Sequence, residues 1–292
     1  MTDSKKLCIA ITGSTGFVGK NVRKVLHKKG AKLFNISRKN FSSYKSETKI
    51  ISQDINIADI SKKIKNCHAF VHLIGIGHQS VDSTFQSVNV ELTKKIIQLC
   101  HKSKIKKIIY VSGLGASKNS ASVYFISKFQ AEQAIINSGL DYTIFRASYI
   151  IGKDDHLTKN LKAQMKTKQI TIPGSGKYHL QPIFVNDVGE VIYKAITSEK
   201  FSNKIIDLVG PETVTFQNYV RLFKGKSLIK IKNVDLERAY HAALHNTKSR
   251  YGLDDLNIMI GDFTGNHSRL KKLCGLKFKK FREVLQTRSL SQ

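Results

Sequence analysis

The sequence predicts an α/β fold: a doubly wound parallel sheet with a small C-terminal α+β lobe. Up to residue 147, short β-branched runs alternate with longer stretches of helical periodicity, as in successive βαβ units. A glycine-rich turn at 12–19 joins the first predicted strand to the first helix. With 292 residues, the chain is long enough for one large domain or for a core with a smaller appendage.

The first half contains the best-marked elements. The long helix 84–103 places Val88, Leu92 and Ile96 on one apolar stripe, so it is expected to cover the sheet. The predicted strands are 6–12, 32–37, 48–52, 68–74, 106–112 and 141–147, and the predicted helices are 16–29, 57–65, 84–103 and 122–138.

After Gly152 the pattern is less regular. We predict a core at residues 1–152 and, at residues 153–292, a covering region with a C-terminal lobe that returns strands and a helix to the core. No Ser/Gly-rich linker separates the two parts. The elements expected here are helices at 156–168, 187–198, 215–224, 235–247, 266–274 and 281–288, a turn at 173–176, and extended segments at 180–185, 204–208 and 227–232.

The chain is strongly basic, with 49 Lys and Arg against 21 Asp and Glu, a formal charge of +28. Such a charge attracts polyanions and anionic surfaces. Because the lysines are spread over almost every helix and no nucleic-acid motif accompanies them, a nucleic-acid partner is not expected. A peripheral membrane or an acidic protein partner stays open, and so does a compositional bias without function.

The remaining composition is typical of a cytoplasmic protein, with peripheral attachment to the inner face of the cell membrane as a variant. No segment approaches the roughly 20 apolar residues of a membrane span, and residues 1–6 show no signal region. The four cysteines form no Cys-x-x-Cys pair and are expected to be reduced core residues: Cys8, Cys67, Cys100 and Cys274.

The turn at 12–19 predicts a phosphate site. Gly13 permits the tight turn, Gly16 lets a pyrophosphate approach, and Gly19 allows close packing of helix on strand. Unpaired N–H groups and the positive end of the helix dipole attract an anion to the same point. An ordinary Gly-rich loop is the alternative. The cofactor-binding residues expected in this turn are Gly13, Ser14, Thr15, Gly16, Phe17, Val18 and Gly19.

Ser112, Tyr124 and Lys128 form the candidate catalytic group. Tyr124 and Lys128 are four residues apart on the first turns of a predicted helix, so they point to the same side. Ser112 closes a strand whose carboxyl end lies at the sheet edge where cofactors bind. A neighbouring ammonium lowers the pKa of a phenol, which suits Tyr124 to proton transfer coupled to hydride transfer. A surface Tyr/Lys pair is the alternative interpretation.

These motifs resemble the extended or atypical short-chain dehydrogenases/reductases, a superfamily with a Rossmann fold. The matching pieces are the 12–19 turn, Asp54, Val88-Asn89-Val90, Tyr110-Val111-Ser112, and Tyr124 with Lys128. The segments 112–117, 142–148 and 181–188 are similar to one branch, which contains the nucleotide-binding accessory subunit of respiratory complex I and its prokaryotic relatives. The similarity covers about residues 6–224 and, more faintly, 278–285.

The resemblance implies roles for several residues. Ser112 would bond the substrate oxygen, Lys128 would also hold the nicotinamide ribose, Asp54 and Ile55 would meet the adenine edge, and Gly75 would mark close approach of backbone to cofactor. Two departures argue against a sugar-nucleotide substrate: Ala147 replaces a proline, and Gly75-Ile76-Gly77 stands where small alanines are usual.

The end of the second strand predicts NADP(H) over NAD(H). NAD-binding turns are usually followed, about 20 residues on, by an acid that binds the ribose hydroxyls. This chain has Arg38 and Lys39 there and no acid, and two cations would stabilise a 2′-phosphate. The alternative is that both cations belong to the general lysine excess.

Two functions follow as hypotheses. The first is an NADP(H)-binding oxidoreductase or epimerase of the short-chain dehydrogenase/reductase type, acting on a small carbonyl or alcohol, or on a quinone. The second, which the resemblance implies, is a non-catalytic NADPH-carrying accessory or redox-sensing subunit docked on a respiratory or quinone-linked assembly.

Other polar residues are given lesser roles. No metal site is predicted: His68, His72 and His78 lack a completing acid or cysteine. On a predicted helix, Glu237, His241 and His245 have metal-ligand spacing, but the surrounding acid of a hydrolytic site is not evident. Arg146 either orients a substrate or bonds strand carbonyls, and His179 and Gln181 are possible pocket residues.

Overall fold

A seven-stranded parallel sheet forms the centre of the protein, whose computed structural model describes residues 7–246 and 249–289. The strands of the chain are β1 (Cys8–Thr12), β2 (Lys32–Ser37), β3 (Glu47–Ile51), β4 (Ala69–His72), β5 (Lys107–Gly113), β6 (Asp141–Ala147), β7 (Ile150–Ile151), β8 (Gln169–Pro173), β9 (His179–Leu180), β10 (Ile183–Phe184), β11 (Lys204–Leu208), β12 (Val214–Thr215) and β13 (Lys230–Val234).

Helices connect these strands. They are α1 (Phe17–Lys28), α2 (Ile57–Lys63), α3 (Leu92–Lys102), α4 (Val123–Ile136), α5 (His156–Met165), α6 (Val185–Thr197), α7 (Phe216–Lys224), α8 (Leu236–His245), α9 (Leu253–Met259), α10 (His267–Cys274) and α11 (Phe281–Ser289). A π-helical turn at Gln86–Glu91 leads into α3, and a short 3₁₀ turn, Glu199–Phe201, precedes β11.

The order across the sheet is β11-β6-β5-β4-β1-β2-β3, with every pair parallel. Ile9 of β1 is in register with Leu33 on one side and with Ala69 on the other. The direction of winding reverses between β1 and β4, which opens a crevice at the carboxyl ends of these strands. The predicted doubly wound Rossmann sheet is therefore confirmed.

Helices cover both faces of the sheet because each has one apolar side. Val22 and Leu26 of α1 pack with Val188 and Ile192 of α6 and with Leu270 of α10 in one core. The opposite core joins α2, α3 and α4, with these buried members: Ile60, Ile96, Leu99, Ala131 and Ile135. Residues beyond 152 thus supply the last strand of the sheet, β11, and two helices, α6 and α10, of the layer that covers one of its faces.

A third apolar core lies in the C-terminal lobe, where Phe216, Tyr219, Leu256 and Phe281 are buried. Three two-stranded sheets frame it, and they pair β10 with β7, β12 with β9, and β13 with β8. The helix α9 packs against both α8 and α4. The lobe therefore contacts the helix that carries Tyr124.

The structure corrects several predicted elements. The helix expected at 84–103 opens with the π-helical turn, and the strand expected at 227–232 lies at Lys230–Val234, where pairing with β8 sets its register. Both β8 and α9 were missed, since five and seven residues give little periodicity. The predictions for residues 1–6 and 247 concern positions outside the described residues.

The four cysteines are free thiols, and Cys67, Cys100 and Cys274 are buried. The Cys8 and Cys67 sulfurs form a hydrogen-bonded contact of 3.1 Å. None of the helices in the described ranges has the length and apolar character needed to cross a membrane.

Candidate functional site

The glycine turn lies in the crevice beside β1. Gly13 has φ +73°, and a Cβ there would lie 2.8 Å from the backbone carbon of Leu73, so only glycine fits this turn. A Cβ on Gly19 would overlap the Gly13 carbonyl oxygen, because α1 packs directly on the turn. At Gly16 a Cβ would meet only that oxygen, at 3.4 Å.

The space in front of Gly16 is therefore open, at the N-terminus of α1. No side chain caps this helix, and no acid lies in its first turn. The buried Ser14 hydroxyl makes no hydrogen bond within the described structure. Free N–H groups, a helix N-terminus and a spare hydroxyl fit the pyrophosphate of a dinucleotide.

A cavity of about 320 Å³ continues from the turn along the carboxyl edge of the sheet. Its walls come from the start of α1, the loop after β4, the end of β5, the first turns of α4, the segment after β6, and the lobe. Ser112, Tyr124 and Lys128 all line it, as do Val18 and Gly75. The lobe contributes Ile258 and Phe263.

Lys128 is buried, and its ammonium donates a 2.9 Å hydrogen bond to the Val111 carbonyl. It also lies 4.3 Å from the centroid of the Tyr110 ring, which stabilises the cation. Burial nevertheless lowers the pKa of Lys128 to about 7. Neighbouring Ser112 is buried, and its hydroxyl has no hydrogen-bond partner in the described structure.

The expectation that Lys128 lowers the pKa of Tyr124 is wrong for this structure. Burial raises the pKa of Tyr124 to about 12, because the ring packs edge-on against Phe85 and Phe125, with centroids 5.7 and 5.0 Å away. The electrostatic effect of one ammonium does not offset this loss of solvation. Tyr124 thus holds its proton throughout the neutral range.

Asn89, which the sequence analysis named within a matching motif but gave no role, supports the site. It is fully buried in the π-helical turn, its Oδ1 accepts from Ile76 N at 3.0 Å, and its Nδ2 donates to Ser127 Oγ at 3.0 Å. Ser127 Oγ in turn donates to the Tyr124 carbonyl at 2.7 Å. This chain of bonds fixes the 75–77 loop against the helix turn that carries Tyr124. The only signal for this role in the sequence was a polar amide beside the apolar stripe of the predicted helix.

The residues predicted to choose the cofactor lie at the same sheet edge. Arg38 and Lys39 follow β2 and are exposed, and Ser37 Oγ bonds the Lys39 carbonyl at 2.7 Å. Asp54 and Ile55 follow β3, the next strand outward, and the Asp54 side chain is exposed. At this edge, two exposed cations, Arg38 and Lys39, are thus accompanied by one exposed acid, Asp54.

Three other residues that were considered for the site make structural contacts instead. Arg146 forms a two-pronged ion pair with the fully buried Glu132, including a 2.6 Å contact, so it binds α4 to β6. His179 pairs with Asp262 at 3.0 Å. Gln181 bridges Gly210 O and Gly265 N at 2.8 Å each. None of the three candidates lines the 320 Å³ cavity.

The histidines around β4 separate in the structure. His72 is buried between Thr12 and Thr93, 2.7 and 3.2 Å away, and burial lowers its pKa to about 3. His68 Nδ1 accepts from Cys8 N at 2.9 Å. His78 instead meets two residues from elsewhere in the chain, His156 and Asp255, and one ligand atom from each lies within 4.8 Å of the others.

One family model and several known proteins are similar to this chain in sequence. The NAD dependent epimerase/dehydratase family matches residues 9–208. The NADH-ubiquinone oxidoreductase 40 kDa subunit of Neurospora crassa mitochondria is 24% identical over 160 residues, 55% of this chain and 42% of that protein. Subunit 9 of the NADH dehydrogenase 1 alpha subcomplex of Arabidopsis thaliana mitochondria is 25% identical over 217 residues, 70% of this chain and 54% of that protein. The matches thus span about half the length of these relatives.

Solved structures share the fold across nearly the whole chain. The UDP-N-acetylglucosamine 4-epimerase of Bacillus cereus has a TM-score of 0.72 at 19% identity, covering 98% of this chain and 96% of its own. A UDP-glucuronic acid 4-epimerase of Bacillus cereus, solved with UDP-glucuronic acid and NAD, has a TM-score of 0.72 at 16% identity, covering 96% of each. The family match takes in the glycine turn, all seven strands of the sheet and the Tyr124/Lys128 helix, and the chain belongs to the NAD dependent epimerase/dehydratase family.

Proposed function

We propose that the protein is an NADP(H)-dependent oxidoreductase that reduces a small carbonyl compound. The single observation that carries this proposal is that Ser112, Tyr124 and Lys128 line one cavity that adjoins the glycine turn. Two buried hydroxyls, Ser14 at the turn and Ser112 in the cavity, have no hydrogen-bond partner among the described residues, and they support a ligand that extends between them.

The binding residues follow from the sheet edge. Gly13, Gly16 and the first N–H groups of α1 would hold the pyrophosphate, and Arg38 and Lys39 would bind a 2′-phosphate. Lys128 would hold the nicotinamide ribose. When bound, the reduced nicotinamide supplies the hydride. We assign the cofactor-binding core to residues 1–152 and the substrate-covering part to residues 153–292.

The proton is assigned to Tyr124. With its pKa at about 12, the phenol is protonated at neutral pH and donates to a carbonyl oxygen that gains negative charge. The Ser112 hydroxyl donates a second hydrogen bond to the same oxygen. The Lys128 ammonium stabilises the phenolate that Tyr124 leaves behind. At neutral pH Tyr124 is thus in the protonated form that the reduction step requires.

NADPH turnover with and without the Tyr124 phenol tests the proposal. We would incubate the protein with NADPH and a panel of aldehydes, ketones and quinones. Tyr124→Phe is expected to reduce kcat by at least about 100-fold, a usual contribution of a general acid. Tyr193→Phe, on α6 and not among the residues that line the cavity, is the matched control and should turn over normally.

A second candidate is an NADPH-carrying accessory subunit without turnover. The relatives named as subunits of mitochondrial NADH dehydrogenase favour it, as does the +28 charge, which suits an acidic or anionic docking surface. Tight NADPH binding with no Tyr124-dependent consumption across the panel would replace the first function with this one. Salt-sensitive sedimentation with respiratory membranes would then identify the docking.

A further inference from the structure

A second cavity, of about 350 Å³, adjoins the first and shares five lining residues with it: Gly77, Tyr124, Tyr149, Ile150 and Ile258. Two histidines, His78 and His156, and the carboxylate of Asp255 line this cavity. They come from three separate segments: the loop after β4, the first residue of α5, and α9 in the lobe.

The separations of these groups approach those of ligands around one metal ion. His78 Nε2 lies 3.3 Å from Asp255 Oδ1, and one ligand atom from each of the three residues lies within 4.8 Å of the others. Two ligands of a tetrahedral zinc ion, each 2.0–2.1 Å from the metal, are about 3.3 Å apart. His78 and Asp255 already have this spacing. His78 and His156 are exposed, so side-chain rotation can close the remaining distance.

The surroundings hold the ligand-bearing segments in place. Asp255 Oδ2 accepts from Gly252 N at 2.9 Å, which leaves Oδ1 directed at His78. The residues next to His78 and Asp255 are also bonded to each other: Gln79 N donates to Asp254 Oδ2 at 2.9 Å. The bond from Gly252 N to Asp255 is of the kind that orients ligating carboxylates in metal sites. The bond from Gln79 N to Asp254 ties the two segments together.

The third ligand also has a fixed backbone. His156 is the first residue of α5, whose N-cap is the buried Asp155, and Asp155 Oδ1 accepts from Thr158 N at 2.7 Å. A simple ion pair between His78 and Asp255 would not need a second imidazole. Here the His156 ring lies beside the His78 ring, with centroids 5.3 Å apart.

We propose that His78, His156 and Asp255 bind a divalent transition-metal ion of the zinc class. Two imidazole nitrogens and one carboxylate oxygen are the donor set of zinc sites that keep a coordination position open. All three residues line the cavity that Tyr124 also lines, so an oxygen of a molecule bound there could take the open position. The ion would also tie α9 to α5 and to the loop after β4.

Metal titration of the stripped, full-length protein tests this site without any turnover assay. We expect calorimetry with Zn²⁺ to show one tight site per chain, and Co²⁺ to develop the strong visible absorption of a tetrahedral complex. His156→Gln and Asp255→Asn should each weaken Zn²⁺ binding at least about 100-fold, since each removes a ligand atom or its charge. Zn²⁺ should raise the Tm of the unchanged protein and not that of His156→Gln.

The matched control is the double variant His241→Gln/His245→Gln. It removes two imidazoles four residues apart on α8, whose ring centroids are 4.6 Å apart, and it should leave the tight site intact. Loss of Zn²⁺ binding in this control with retention in His156→Gln would overturn the proposal. Failure of the unchanged protein to bind Zn²⁺ or Co²⁺ would overturn it as well. Neither result bears on NADPH binding, so the proposed function is tested separately.

Discussion

The Lys128 ammonium donates its 2.9 Å hydrogen bond to the carbonyl of Val111, the residue directly before Ser112. This bond joins α4 to the carboxyl end of β5 and so brings the cationic group and the serine hydroxyl to one wall of the cavity. At this bond the Lys128 ammonium lies over the Tyr110 ring, and the side chain is almost wholly buried. Burying this ammonium group away from water costs free energy.

That cost predicts a dependence of stability on pH. The pKa of Lys128 falls from 10.5 to about 7 on folding, so between these values the unfolded chain binds more protons. The free energy of unfolding should therefore rise with pH from 7 toward 10, by at most about 1.4 kcal/mol per pH unit from this group. Urea titrations of the unchanged protein, Lys128→Met and the exposed control Lys94→Met measure it. An equal slope in all three would contradict the assignment.

The glycine turn predicts that two similar substitutions act differently. Gly19→Ala should prevent stable folding, because its Cβ overlaps the Gly13 carbonyl oxygen. Gly16→Ala should fold, since its nearest contact is 3.4 Å, yet weaken NADPH binding about tenfold or more by filling the approach to the helix N-terminus. Circular dichroism and calorimetry check the pair. Unchanged NADPH affinity in Gly16→Ala would place the phosphates elsewhere.

The ion pair between Arg146 and Glu132 predicts a non-additive effect on stability. Arg146→Ala leaves the fully buried Glu132 carboxylate unpaired and should cost about 3 kcal/mol. The double variant Arg146→Ala/Glu132→Ala should recover part of that loss. Urea unfolding of the two single variants and the double variant gives the coupling energy. Simple additivity would show that the pair is not a unit.

Cofactor choice is predicted to depend on the cations after β2. Arg38→Glu should weaken NADPH binding by about 10-fold to 100-fold, because it replaces a partner of the 2′-phosphate with a repelling charge. NADH affinity should stay the same or improve. Lys102→Glu, an exposed residue at the end of α3, carries the same charge change and serves as the control. Equal losses in both variants would assign the effect to net charge alone.

The sheet and the glycine turn were predictable because their signals are local. Each strand of the sheet contains at least one β-branched residue, and the glycine spacing can be read from one short segment, although the Cβ excluded at Gly13 would meet Leu73, directly after β4. The convergence of Ser112 with Tyr124 was also predictable, since both follow from one strand and the helix after it. Where the sequence reasoning went wrong, at the pKa of Tyr124, the cause is burial of the ring, to which Phe85 contributes from 39 positions earlier in the chain, along with the adjacent Phe125.

The parts that escaped prediction depend on long-range contacts. Asn89 was recognised within the Val88-Asn89-Val90 motif, but not as the bridge between the 75–77 loop and Ser127. His78 was grouped with its neighbours in sequence, although its partners His156 and Asp255 are 78 and 177 residues away. No spacing rule links residues that meet only when the lobe packs on the core.

The central claim is that the turn at 12–19 holds the diphosphate of a pyridine dinucleotide. Calorimetric titration of the full-length protein with NADPH, and separately with NADH, tests it most directly. We expect saturable binding of one NADPH per chain, with NADPH bound more tightly than NADH. Failure of both nucleotides to bind would contradict the claim, and tighter binding of NADH would contradict the role given to Arg38 and Lys39.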